Sequence, residues 1–170
     1  MISELNRLIE NGSLPVAPFS DQGLSVTPTA EGALFLLDDE KCACVRIYTN
    51  AAPLTAALRD DPAFLLSLLM LGGPAGPAPE VRIGADLRAN FLWLSASVPY
   101  RECTDPLFAD KLERFRAQSA LLRAEVIRRM NERAQERTLS RPASAPVTPA
   151  PQMTSDDLSR LFSSSQVYWG

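Results

Sequence analysis

Apolar positions near the N-terminus recur at helical spacing. Ile2, Leu5, Leu8 and Ile9 share one face, with Glu4, Arg7 and Glu10 off it. Asn11-Gly12 supplies a stop, so a short amphipathic helix is predicted over Ile2 to Glu10. Leu14 to Phe19 carries Pro15 and Pro18 and reads as an extended connector. Three strands are predicted next, at Leu24 to Thr27, Ala33 to Leu37 and Cys42 to Thr49. Asp38 to Lys41 forms the last hairpin turn, and the three strands make an antiparallel meander.

Leu54 to Leu58 and Phe64 to Leu71 read as helical, with Asp61-Pro62 as N-cap and first-turn proline. The second of these has almost no polar face, so it is expected to be buried on several sides, in part against a second copy of the chain. Gly72 to Pro79 is a breaker-rich loop. Val81 to Asp86 and Phe91 to Tyr100 are strands. The latter places Leu92, Leu94, Ala96 and Val98 on one face and Phe91, Trp93, Ser95 and Ser97 on the other, the clearest period of two in the chain.

Asp105 to Glu136 is a long helix with the apolar stripe Phe108, Leu112, Phe115, Leu122, Val126 and Met130. These are spaced by threes and fours with a single gap of seven. The order α-β-β-β-α-β-β-α predicts an α+β fold, an antiparallel sheet packed against helices. A domain over residues 1–139 is followed by a tail, 140–170. Arg141 to Pro151 holds four prolines and reads as a flexible linker. Beyond it, a short helix is predicted over Thr154 to Phe162, and the chain ends on aromatic residues.

Composition adds exclusions. Apolar residues make up 46% and charged residues 22% of 170, which suits one globular domain. No run of about 20 apolar residues suggests a membrane span, and the first ten residues do not read as a secretory signal. The net charge of −3 and acidic first hundred residues do not suit nucleic acid. Histidine is absent, which removes His-based catalysis and leaves poor material for zinc. Cys42, Cys44 and Cys103 are expected to be reduced structural thiols, the first two pointing to one face of a strand. Lys41 and Lys111 have no evident nucleophile to serve. Gly72-Gly73-Pro74-Ala75-Gly76 lacks the Gly-Lys-Ser/Thr ending of a phosphate loop. Asp38-Asp39-Glu40 reads as solvated turn acids and Asp60-Asp61 as a helix start. No catalytic residue, cofactor or metal site is therefore predicted. The surplus is apolar: Phe35, Tyr48, Phe91 and Trp93 lie on strands whose two faces cannot both be covered by so few helices. They are core, or a groove or edge for an extended partner.

The layout resembles the class I chaperones of type III secretion systems. The likeness rests on the helix Ile2 to Glu10 before the meander, on Phe64-Leu65-Leu66-Ser67-Leu68-Leu69-Met70-Leu71 ending in Gly72-Gly73, and on Leu92-Trp93-Leu94-Ser95-Ala96-Ser97-Val98-Pro99 followed by the long helix. It covers residues 1–137; the proline-rich tail departs from it. The resemblance implies a homodimer in the bacterial cytoplasm that keeps an effector's N-terminal segment extended, without ATP hydrolysis. A component of the secretion apparatus such as the export ATPase is a further implied partner. On that reading Leu5, Leu8, Leu34, Phe35, Val45 and Ile47 are expected to bind effector, and Phe64, Leu65, Leu68 and Leu69 to form the dimer interface. Leu158, Leu161, Phe162 and Trp169 either dock a partner or fold back on the chain. Two other classes stay open: an adaptor that self-assembles through its helices, and an enzyme using one of the cysteines.

Overall fold

A computed structural model describes residues 2–139 apart from Ser13, Glu31 and Ala75. The expected order is observed. Helix α1 (Ile2–Asn11) precedes strands β1 (Leu24–Thr29), β2 (Gly32–Asp39) and β3 (Cys44–Pro53). Helices α2 (Ala56–Arg59) and α3 (Pro62–Leu69), strands β4 (Arg82–Asp86) and β5 (Phe91–Pro99), and helix α4 (Asp105–Leu139) follow. The strands form one antiparallel sheet in the order β1-β2-β3-β5-β4. The chain divides into two units, residues 1–132 and 133–170. Of the second only 133–139 are described, where Arg133 pairs with Glu136 at 2.9 Å. The predicted linker, terminal helix and docking residues Leu158, Leu161, Phe162 and Trp169 lie outside the described residues.

Alternation decides which side of the sheet is core. Leu34 and Leu36, Val45 and Ile47, Ile83, and Leu92, Leu94 and Val98 join one buried cluster with Leu5 and Ile9 of α1, Leu68 of α3 and the α4 stripe. The gap of seven in that stripe is filled by Ser119, which is as buried as its apolar neighbours. Thr55 caps α2, and Asp61 caps α3 by accepting from the Phe64 amide at 3.2 Å, with Pro62 in the first turn as predicted.

Several boundaries differ for local reasons. β1 runs on through Pro28 because it is an edge strand, where a missing N–H does no harm. Part of its outer edge is occupied by the connector: Ala17 N–H donates to Thr27 Oγ1 at 2.8 Å and Ser20 N–H to the Leu24 carbonyl at 2.9 Å. β3 starts two residues later than predicted. Asp39 accepts from the Cys42 amide at 3.1 Å, which draws Glu40–Cys42 into a 3-10 turn, and Ala43 takes a left-handed conformation at φ 49°. Cys42 is therefore exposed on a turn and Cys44 buried on a strand, not side by side on one face. In the loop after α3, Gly72 passes so close to β4 that an added Cβ would meet the Ile83 amide nitrogen at 2.6 Å. Gly73 N–H donates to the Val81 carbonyl at 2.8 Å and Gly76 N–H to Gly73 at 2.9 Å, so these glycine amides are committed to the fold.

Candidate functional site

Most residues expected to touch a partner are placed inside the protein. Leu5, Leu34, Val45 and Ile47 lie in the buried cluster, the last two with no exposed surface. Leu5 also lines the cleft beside α1, and Leu34 the cleft between the β1–β2 hairpin and α4. Leu8 is half-buried and lines a cleft of about 360 Å³ with Glu4, Leu5, Arg7, Tyr100 and Cys103. Phe35 points to the opposite sheet face, where it meets Trp93 edge-on at 5.9 Å, and Trp93 meets Phe91 at 6.0 Å.

The expected dimer residues divide the same way. Leu68 is fully buried, and Phe64, Leu65 and Leu69 pack partly against the core. The apolar surface that α3 presents is Leu66, 59% exposed, and Met70 at the helix end, 69% exposed. They are four apart and so share a helical face. An all-round apolar helix pattern cannot tell these two from Leu68; the outward pair became legible only once β4 fixed which side faces in.

The polar groups near these surfaces are structural. Arg46 pairs with Asp39 at 2.6 Å and donates to Cys42 Sγ at 3.3 Å, pinning the β2–β3 turn. Burial works to raise the Asp39 carboxyl, but bonds from Cys42 and the charge of Arg46 outweigh it and hold it below its ordinary value. Tyr100 Oη donates to Asp38, and burial with that bond raises the phenol. Among the described residues, no cluster of three His, Cys, Asp or Glu could hold a metal. No described helix is long and apolar enough to cross a membrane.

Burial pushes the Cys103 thiol up to about 11, with weak donation to the Pro99 carbonyl at 3.5 Å. The thiol is thus kept protonated near neutrality, the reverse of what a nucleophile needs. A raised folded pKa contributes stability below the unfolded value of 9.0, and it is lost as pH climbs toward about 11. The melting temperature should therefore fall over that interval, and Cys103→Ser should flatten the fall. An identical slope in the variant would assign it to other groups.

A second cleft, of about 350 Å³, lies between the β1–β2 hairpin and α4. Arg123 Nε donates to the Asn50 carbonyl at 2.9 Å and Nη2 to Thr49 Oγ1 at 3.0 Å, tying α4 to β3 at its register shift. No local sequence signal marks this contact between residues more than seventy positions apart.

No protein-family model matches the sequence, and no curated protein matches it. Solved structures do. The HopA1–SchA chaperone–effector complex contains a chain similar at a TM-score of 0.53 and 15% identity, over 72% of this chain and 91% of the other. The ExsC–ExsE complex gives 0.52 and 14%, over 73% and 94%. The five-stranded antiparallel sheet packed against helices is the fold these chains share with this one.

Proposed function

We propose that this protein is a non-enzymatic chaperone of type III secretion, a cytoplasmic homodimer that holds the N-terminal segment of an effector extended and soluble. The observation that carries the reading is the fold likeness, which spans nearly the whole length of chains found in the HopA1–SchA chaperone–effector complex and the ExsC–ExsE complex. Exposed apolar side chains support it. Leu66 and Met70 suit a contact between copies, and the Leu8 cleft with the β1 edge suits an extended polypeptide. A bound segment would gain apolar contacts and backbone pairing that offset the chain entropy it loses, and would be held extended.

Affinity purification of the full chain from a secretion-competent bacterium tests this. Secreted proteins should co-purify, and deletion of the gene should lower their export while their transcripts stay level. Purification of the chain alone, with export unaffected by deletion, rejects the reading.

A further inference from the structure

The cleft beside α1 has a wall whose direction is set from a strand far away in sequence. Its lining comes from α1 and, beyond that helix, from Tyr100 and Cys103. The backbone there is fixed. Tyr100 N–H donates to the Ala43 carbonyl at 3.0 Å, and Cys103 N–H to the Tyr100 carbonyl at 3.0 Å. Those bonds do not set the direction of the Tyr100 ring, which depends on its side-chain torsions. What holds the ring is the bond from its Oη to Asp38, 62 positions earlier in the chain.

Packing alone explains neither member of this pair. Asp38 follows Leu34 and Leu36 on the face of β2 that meets the core. It is half-buried rather than a solvated turn acid, and its second oxygen, Oδ2, is buried with no hydrogen-bond partner among the described residues. Enclosing a carboxylate with one oxygen unpaired is destabilising, and an apolar residue of similar size would avoid that. The Tyr100 hydroxyl is redundant in the same way, since phenylalanine would fill the space with no polar atom to satisfy. Each group has the other as its reason. A hydroxyl donating to a carboxylate is charge-assisted, strong enough to select one ring orientation. The charge of Asp38 also acts on the Cys103 thiol, so the carboxylate lies near both lining residues that α1 does not supply.

We propose that Asp38 is a positioning residue, which holds the Tyr100 ring as a wall of the Leu8 cleft so that the cleft takes one aliphatic side chain of an extended partner segment. The occupant rests on the chaperone reading above; the latch does not. Leu5, Leu8, the Tyr100 ring and the Cys103 sulfur offer an apolar lining, while Glu4, Arg7 and Asn11 offer polar groups to flanking backbone. A volume of about 360 Å³ is at the low end for ligand sites and suits one side chain. The bond between Tyr100 and Asp38 is thus structural, but what it builds is the shape of the cleft.

The test titrates the full chain with N-acetyl-L-leucine N-methylamide, and with the alanine analogue as a size control, following the Leu8 methyl groups and the Cys103 amide by NMR. The parent should bind the leucine probe more tightly than the alanine probe. Tyr100→Phe and Asp38→Leu should each weaken leucine-probe binding several-fold. Asp38→Leu should at the same time raise the melting temperature, because it removes the unpaired oxygen. Asp38→Asn keeps an acceptor for the hydroxyl and should restore near-parent binding. A gain in stability with a loss of binding, and rescue by the amide, are results that a merely structural role does not give. Parent-like binding in Tyr100→Phe, Asp38→Asn binding no better than Tyr100→Phe, a folded Asp38→Leu with a lowered melting temperature, or equal binding of the two probes by the parent overturns the assignment. The probes carry no effector sequence, so such a result with effectors still captured rejects only the latch. Latch variants that behave as stated, without effector capture, reject only the chaperone reading.

Discussion

Leu68→Asp is expected to leave no folded protein, whereas Leu66→Asp with Met70→Asp is expected to leave a folded monomer. Leu68 is fully buried in the cluster that joins α3 to the sheet. An unpaired carboxylate there has no donor to meet and costs several kcal/mol, a large share of the roughly 5–15 kcal/mol that holds a domain together. Leu66 and Met70 are mostly exposed and share one face of α3, so the same change there removes apolar surface available to a second copy without opening the core. Circular dichroism with sedimentation separates the two outcomes. A double variant that sediments as a dimer, like the parent, would move the interface off α3. A parent that sediments as a monomer would remove the homodimer from the proposed function.

The difference between these neighbours marks the limit of what was legible in the sequence. Strand existence, helix caps and the α4 stripe follow from local rules, and Asp61-Pro62 starts α3 as its residue types require. The assignment of faces does not follow. On β2, Leu34, Phe35 and Leu36 are consecutive apolar residues, and only the position of the helices shows that Leu34 and Leu36 face the core cluster while Phe35 turns toward Trp93. Four of the six residues expected to meet a partner, Leu5, Leu34, Val45 and Ile47, are buried in the core cluster. Cys42 was lost to the strand because its place in the 3-10 turn depends on the Asp39 carboxylate accepting its amide. Ser119 had a signal, the gap of seven in the stripe, but a gap in periodicity does not reveal that the intervening residue is buried. Arg123 had none, since its bonds to Thr49 and Asn50 are made by tertiary packing.

Ile47→Ser puts the expected effector-binding surface to a direct test. Ile47 is fully buried in the centre of the sheet. Removing its hydrocarbon leaves a cavity and a hydroxyl to satisfy, a loss of about 4 kcal/mol. In a chain of this size that lowers the melting temperature by roughly 10 °C or more. Affinity for an effector segment, measured where the variant is still folded, should be unchanged, because the side chain meets only its own core. Leu8→Ser should do the reverse. Leu8 is half-buried at a cleft open to solvent. Its loss should cost little stability but reduce affinity by about 2 kcal/mol, the scale of an interface anchor. Urea titration reads the first quantity and calorimetry with the effector segment the second. If folded Ile47→Ser binds weakly while Leu8→Ser binds normally, the inner sheet face opens to partners, and the partition between core and binding surface drawn from burial is inverted.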